Sequence, residues 1–285
     1  AEAAASAAAG AACGLTPDSP LQARLDCRPA GTLRIATYNA SLNRARAGEL
    51  VADLSGRDDP QARTIAAVIQ QVRPDVLLVN EFDYDDAQAA LRLFAVNYLE
   101  VAQRGAAPLR FPWRFTAAVN TGAPSGLDLD HDGRVDGPND ALGFGRFPGQ
   151  YGMAVYSRLP LDAAGVRTFQ LLPWRSMPGA DWPPGWYGPE AQAVLRLSSK
   201  SHWDLPLRLP GGGTLHFLVS HPTPPAFDGP EDRNGHRNHD EIRFWADYLD
   251  PQRAGWIVDD RGRRGGLAPS AAFVLAGDLN ADPLD

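Results

Sequence analysis

Short apolar runs that end on a polar, chemically capable residue recur along this chain, and they constrain its fold more than any other feature. Leu33-Arg34-Ile35-Ala36-Thr37-Tyr38-Asn39 alternates apolar and polar residues of β-favouring type and reads as a half-buried strand ending at Asn39. Ile65, Val68, Ile69 and Val72 fall at helical spacing, Pro74 stops that helix, and the apolar strand 75–82 carries Glu81 near its C-terminal end. Two polar groups at the ends of two core strands are what a layered α/β scaffold presents along one sheet rim. Further strands are expected at 152–157, 193–197, 214–220 and 272–276, and the last two run directly into His221 and Asp278. A helix is expected over 238–249, where Asn238 and Glu241 have capping-box spacing and Ile242, Trp245, Ala246 and Leu249 form one apolar stripe. The Pro-, Gly- and Trp-dense stretch 172–188 reads as an ordered surface loop.

The net charge of -7 disfavours non-specific binding to a polyanion while leaving room for a local cationic site. Lys200 is the sole lysine, against an arginine-dominated remainder that reads as a compositional bias. The apolar runs are far shorter than the roughly 20 residues of a membrane-spanning helix. Cys13 and Cys27 are the only cysteines, so a disulfide between them in an oxidising, extracellular setting is expected, and with it a secreted protein. The chain divides into an Ala-rich N-terminal segment, 1–30, whose first twelve residues read as a linker or processed terminus, and one domain, 31–285, expected to be a monomer.

The sharpest local feature is Gly277-Asp278-Leu279-Asn280, an apolar strand delivering a carboxylate and an amide two residues apart. On an extended chain such residues point the same way. A carboxylate can deprotonate water while an amide donates to a phosphoryl oxygen, two functions that phosphoester hydrolysis needs.

Five segments in order resemble the motifs of the endonuclease/exonuclease/phosphatase superfamily. They are Thr37-Tyr38-Asn39, Val79-Asn80-Glu81, Gly152-Met153-Ala154-Val155-Tyr156-Ser157, Ser220-His221 and Gly277-Asp278-Leu279-Asn280. The resemblance covers roughly 31–285 and implies an α/β four-layer sandwich, α/β/β/α, with two packed mixed β-sheets. It implies that Glu81, with Asn39 nearby, binds Mg²⁺ (or Mn²⁺), a hard cation that prefers oxygen ligands. It further implies that Asp278 activates water, Asn280 holds the phosphoryl oxygens, and His221 stabilises the transition state or protonates the leaving group. The family pattern closes with a Ser-Asp-His segment on a last strand, which the sequence to Asp285 does not contain, so the domain is expected to lack that strand.

A second site is expected at 128–140. Asp128, Asp130 and Asp132 stand at positions 1, 3 and 5 of a calcium-loop pattern, Gly133 at 6 and the carbonyl of Arg134 at 7, with Asp136 following. The twelfth position is Asn139 with Asp140 behind it, so a structural Ca²⁺ clamp is expected and not a paired switch. Lys200, His202, Arg237 and His239 fall in polar clusters on expected loops and are candidate substrate-binding residues. The substrate is expected to be a phosphorylated small molecule, a lipid headgroup or nucleic acid. A membrane-acting enzyme would need an exposed aromatic hairpin, for which the loop from Trp174 to Tyr187 is the candidate. The contrasting expectation is a calcium-stabilised binding module that kept the fold and lost catalysis.

Overall fold

A computed structural model describes residues 13–14, 16, 18–282 and 284. The Ala-rich stretch 1–12 lies outside the described residues, whereas Cys13 and Cys27 are disulfide-bonded with Cα atoms 6.0 Å apart. Helix α1 (Leu21–Asp26) is tied to the domain through Arg34, which donates to the Leu25 carbonyl at 2.6 Å, and through an ion pair between Arg28 and Asp75.

Eight strands form two four-stranded sheets. The first holds β1 (Ile35–Leu42), β2 (Val76–Phe82), β4 (Met153–Ser157) and β3 (Trp113–Phe115) in that spatial order. The second holds β5 (Arg167–Thr168), β6 (His202–Arg208), β7 (Thr214–Ser220) and β8 (Ala272–Gly277). Both sheets are mixed, and each has a single parallel pair, β1 with β2 and β7 with β8.

Alternation along the strands divides the buried side chains between layers. Val76 and Leu78 of β2, Met153 and Val155 of β4, Trp203 and Leu205 of β6, and Phe217 and Val219 of β7 meet between the sheets. Leu77, Val79, Ala154 and Tyr156 face the opposite way, onto helices α2 (Glu49–Ser55), α3 (Pro60–Val72) and α4 (Ala89–Phe94). Leu218 faces Phe244, Trp245 and Tyr248 of helix α6 (Arg233–Leu249). The result is the expected four-layer arrangement. Strands buried on both faces read as continuous apolar runs because neither face meets water.

The α3 helix starts where Asp59 accepts the Ala62 amide at 2.7 Å, with Pro60 at the first helical position, and ends at Arg73 in the left-handed region (φ 50°) ahead of Pro74.

Three sequence expectations are corrected. The expected strand 193–197 is instead the end of helix α5 (Pro189–Val194) and an extended stretch bridged to Pro173; Pro189 as first residue and the following Glu-Ala-Gln-Ala favour a helical turn. The segment around His202, expected as a loop, is strand β6, which shows no alternation because its first six residues are buried on both faces. Helix α6 begins at Arg233, five residues before the expected start, so Asn238 lies inside it and is not a cap. The 172–188 stretch is a loop with one short 3₁₀ turn, but its aromatics point inward: Trp174 is fully buried and packs 4.2 Å from Trp182. It offers no exposed membrane hairpin.

Candidate active site

The C-terminal ends of both parallel pairs open on the same rim. Ser220 pairs with Gly277 in the last register of β7 and β8, and a Cβ at Gly277 would lie 2.1 Å from the Ser220 carbonyl oxygen. Glycine therefore permits the close approach that brings the exits toward His221 and Asp278 together. On the other sheet, Asn39 pairs with Asn80, a register shift follows between Asn39 and Leu42, and Glu81 adopts φ 56°. A left-handed glutamate is held only where its surroundings over-determine it, as they often do at functional sites.

These elements converge on one amide. Asn39 Nδ2 donates to Glu81 Oε1 and to Asp278 Oδ2, each at 3.0 Å, so one side chain spans two carboxylates from different sheets. Asn43 Nδ2 donates to the second oxygen of Glu81 at 2.8 Å. His221 Nε2 lies 3.8 Å from Asp278 Oδ2, while its Nδ1 is buried with no partner among the described residues. Burial, reinforced by the nearby Lys200 charge, holds the His221 pKa well below the usual imidazole range, so the ring is neutral at neutral pH.

Asp278 and Asn280 do not share one side of an extended strand. Strand β8 ends at Gly277, Asn280 has φ 50°, and its backbone N–H turns back onto Asp278 Oδ1 at 3.3 Å. Its side chain donates to the Pro222 carbonyl at 3.0 Å, which ties the β8 exit to the β7 exit and leaves one amide hydrogen available.

Beside this cluster lies a cleft of about 290 Å³, lined in part by Glu81, Tyr151, Lys200, His221, Phe144 and Phe227. Four sequence candidates for substrate contact separate here. Lys200 and Arg237 line the cleft, but Arg237 donates to the carbonyls of Leu142, Arg196 and Leu197 at 2.7, 2.8 and 3.2 Å, a clamp on the chain that occupies its Nε and Nη2. His202 is buried in β6 against Phe244 and Trp245, with Nε2 2.8 Å from the Glu241 carbonyl oxygen. His239 lies on α6 beside Asp240 and Asp181 and does not line the cleft.

The supporting residues were not identified from sequence. Buried Glu241 accepts the Ser199 and Thr223 amides, each at 2.6 Å, and thereby pins the residue before Lys200 and the second residue after His221. Asp83 accepts the backbone amides of Arg44 and Tyr151 at 2.7 and 3.0 Å; burial raises its pKa to about 6. An acidic residue two positions after Glu81 was the only available sequence signal for Asp83, and it is a weak one.

At the second site, carboxylate oxygens of Asp128, Asp130 and Asp140 lie within 4.8 Å of one another. Asp132 instead accepts the Arg134 amide at 2.8 Å, and Asp136 pairs with the Arg134 guanidinium, so neither joins the cluster as expected. Asp130 Oδ1 is buried without a partner among the described residues.

Two packed mixed sheets with a carboxylate and amide rim define a layered α/β protein. Residues 36–285 match the family model described as "Endonuclease/Exonuclease/phosphatase family", and the chain belongs to that family. Among solved structures it is similar to an endonuclease/exonuclease/phosphatase from Beutenbergia cavernae (21% identity, 87% of this chain and 47% of that one, TM-score 0.44). It is also similar to sphingomyelinase C from Streptomyces griseocarneus (18%, 89% and 66%, TM-score 0.44) and to a mannosyl-6-phosphatase from Bacteroides thetaiotaomicron (14%, 89% and 67%, TM-score 0.42). The chain thus spans about half to two thirds of the length of these structures. No curated protein matches it.

Proposed function

We propose that this protein hydrolyses phosphate esters with the help of a hard divalent cation, Mg²⁺ or Mn²⁺, held at Glu81 and Asn39. One observation carries the reading: Glu81 and Asp278 converge on Asn39, and neither forms an ion pair with a lysine or arginine among the described residues. Two converging carboxylates with no close lysine or arginine partner, and with amide oxygens nearby, are a donor set suited to such an ion. When bound, the cation supplies charge neutralisation at the phosphoryl group.

Asp278 takes a proton from water, the water oxygen bonds to phosphorus as the bond to the leaving oxygen breaks, and that oxygen regains a proton from solvent or a neighbouring donor. Asn280 offers its free amide hydrogen to a phosphoryl oxygen. His221, neutral, acts as a hydrogen-bonding group and not as a standing imidazolium acid.

The cluster of Asp128, Asp130 and Asp140 is assigned to Ca²⁺, supported by the unpartnered Asp130 oxygen. A disulfide and a loop suited to millimolar calcium support a secreted setting; no helix among the described residues is long and apolar enough to cross a membrane.

The test is hydrolysis of bis-p-nitrophenyl phosphate and p-nitrophenyl phosphate with Mg²⁺, Mn²⁺ or Ca²⁺, beside Glu81→Ala and Asp278→Ala with folding verified. Metal-dependent turnover lost in both variants is expected. A folded protein that turns over neither ester would point instead to the calcium-stabilised binding module.

A further inference from the structure

Lys200 is one lysine among 27 lysine and arginine residues. Lys200 is 6% exposed, it lines the cleft beside Glu81 and His221, and its ammonium forms no hydrogen bond or close ion pair among the described residues, the carboxylates of Glu241, Glu81 and Asp278 acting on it only at longer range. Leaving a buried ammonium without a partner is costly, so proteins rarely keep one that has no ligand.

The surrounding chain fixes the backbone that carries this side chain. Asn120 donates its backbone N–H to the Lys200 carbonyl at 3.0 Å and its side-chain amide to the Ser198 carbonyl at 2.8 Å. Glu241 would be the obvious counter-ion, but its oxygens already accept the Ser199 amide and hydroxyl and the Thr223 amide. Arg237 has its Nε and Nη2 committed to carbonyl oxygens. Lys200 is therefore, among the described residues, the lysine or arginine lining the cleft that has no donor already engaged.

We propose that Lys200 is a catalytic residue that binds a non-bridging oxygen of the phosphoryl group, on the cleft floor, with the remainder of the substrate leaving past Phe144 and Phe227. This deepens the phosphoester reading and rests on it. The floor is formed by Lys200 and His221, 6% and 4% exposed, and the rim by Phe144 and Phe227, 52% and 89% exposed. An ammonium is a compact point charge with three rotatable donors, suited to an oxygen that shifts as phosphorus changes geometry; a planar arginine fork is bulkier and directional. That difference gives a physical reason for a single lysine in an arginine-dominated chain. Burial lowers the Lys200 pKa to about 8, with Glu241 opposing the shift, so the group is still largely protonated at neutral pH.

The full chain is labelled with ¹³C at lysine Cε, which gives one lysine signal, and titrated with inorganic phosphate in the presence of Mg²⁺. The affinity is measured by calorimetry in the parent, Lys200→Met and Lys200→Arg, together with thermal midpoints and p-nitrophenyl phosphate turnover. The expected result is a saturable shift of the lysine signal. Lys200→Met should bind phosphate at least about 10-fold more weakly and lose roughly 100-fold in kcat/KM, with partial recovery in Lys200→Arg. Its thermal midpoint should stay level or rise, because an unpaired buried charge has been removed. Phosphate binding that leaves the lysine signal unmoved, Lys200→Met with parental affinity, or a parent that binds no phosphate would each overturn the assignment. Absent turnover with intact, Lys200-dependent phosphate binding would overturn hydrolysis and leave the lysine site standing.

Discussion

Asn238 Nδ2 donates to the Leu279 carbonyl at 3.0 Å, so helix α6 grips the backbone between Asp278 and Asn280. The same amide donates to the Thr223 carbonyl at 2.7 Å, two residues beyond His221. Three residues along, on the same helical face, Glu241 accepts the Thr223 amide. One helix thus sets the spacing between the two strand exits that lead to His221 and Asp278.

Asn238→Ala should therefore destabilise the fold by about 1–3 kcal/mol, since it leaves one buried and one partly buried carbonyl unpaired. It should also lower kcat more than KM, because the geometry lost is that of Asp278 and Asn280 and not of the cleft. Urea unfolding and steady-state kinetics on one preparation check both, and a stability loss with parental kcat would contradict the positioning role.

Glu81→Gln keeps the shape of the side chain and removes its charge. Half-maximal activity should then need at least about 10-fold more Mg²⁺, the loss expected when one carboxylate ligand is neutralised. Asp278→Asn should instead lose turnover by about 10²–10⁴-fold at every Mg²⁺ concentration. A metal titration of rate in the three proteins distinguishes the two effects.

His202 should make the fold sensitive to acid. Burial lowers its pKa from 6.5 to about 4, against the opposing charge of Glu241. Above pH 6.5 the ring is neutral in both folded and unfolded chains and contributes nothing. Between pH 6.5 and 4 the unfolded chain takes up a proton that the native state refuses, so stability falls as pH falls, by about 3 kcal/mol at the lower end. His202→Gln retains a donor for the Glu241 carbonyl and should flatten this slope; the check is the difference between parent and variant in urea midpoint at pH 7.5 and pH 5.

Calcium should raise the thermal midpoint, and EGTA should reverse the effect. At a hundredfold excess over Kd the stabilisation is about 2.7 kcal/mol. Asp130→Asn is the informative variant, because Asp130 Oδ1 has no partner, whereas both Asp140 oxygens also organise the loop by accepting the Leu129 and Gly137 amides at 2.8 Å. Its melting curve should be indifferent to EGTA.

Local residue patterning was enough to set the layers and to mark the rim. Val76 to Val79 and Phe217 to Val219 must be buried wherever they fold, and His221 and Asp278 follow apolar runs where those strands leave the core, whereas β1 runs past Asn39 to buried Leu42 and β2 past Glu81 to buried Phe82. Tertiary structure decided which polar residues near the rim are available. Lys200, His202, Arg237 and His239 look alike as neighbours in sequence, yet one is free in the cleft, one is packed under α6, one clamps three carbonyls and one lies beside aspartates away from the cleft. It also turned Asn238 from an expected cap into a tether and gave Asn280 a left-handed backbone. The physical reason is that strand and helix periodicity are local, whereas the partner of a buried polar group is chosen by whichever distant backbone amide or carbonyl the packing leaves unsatisfied.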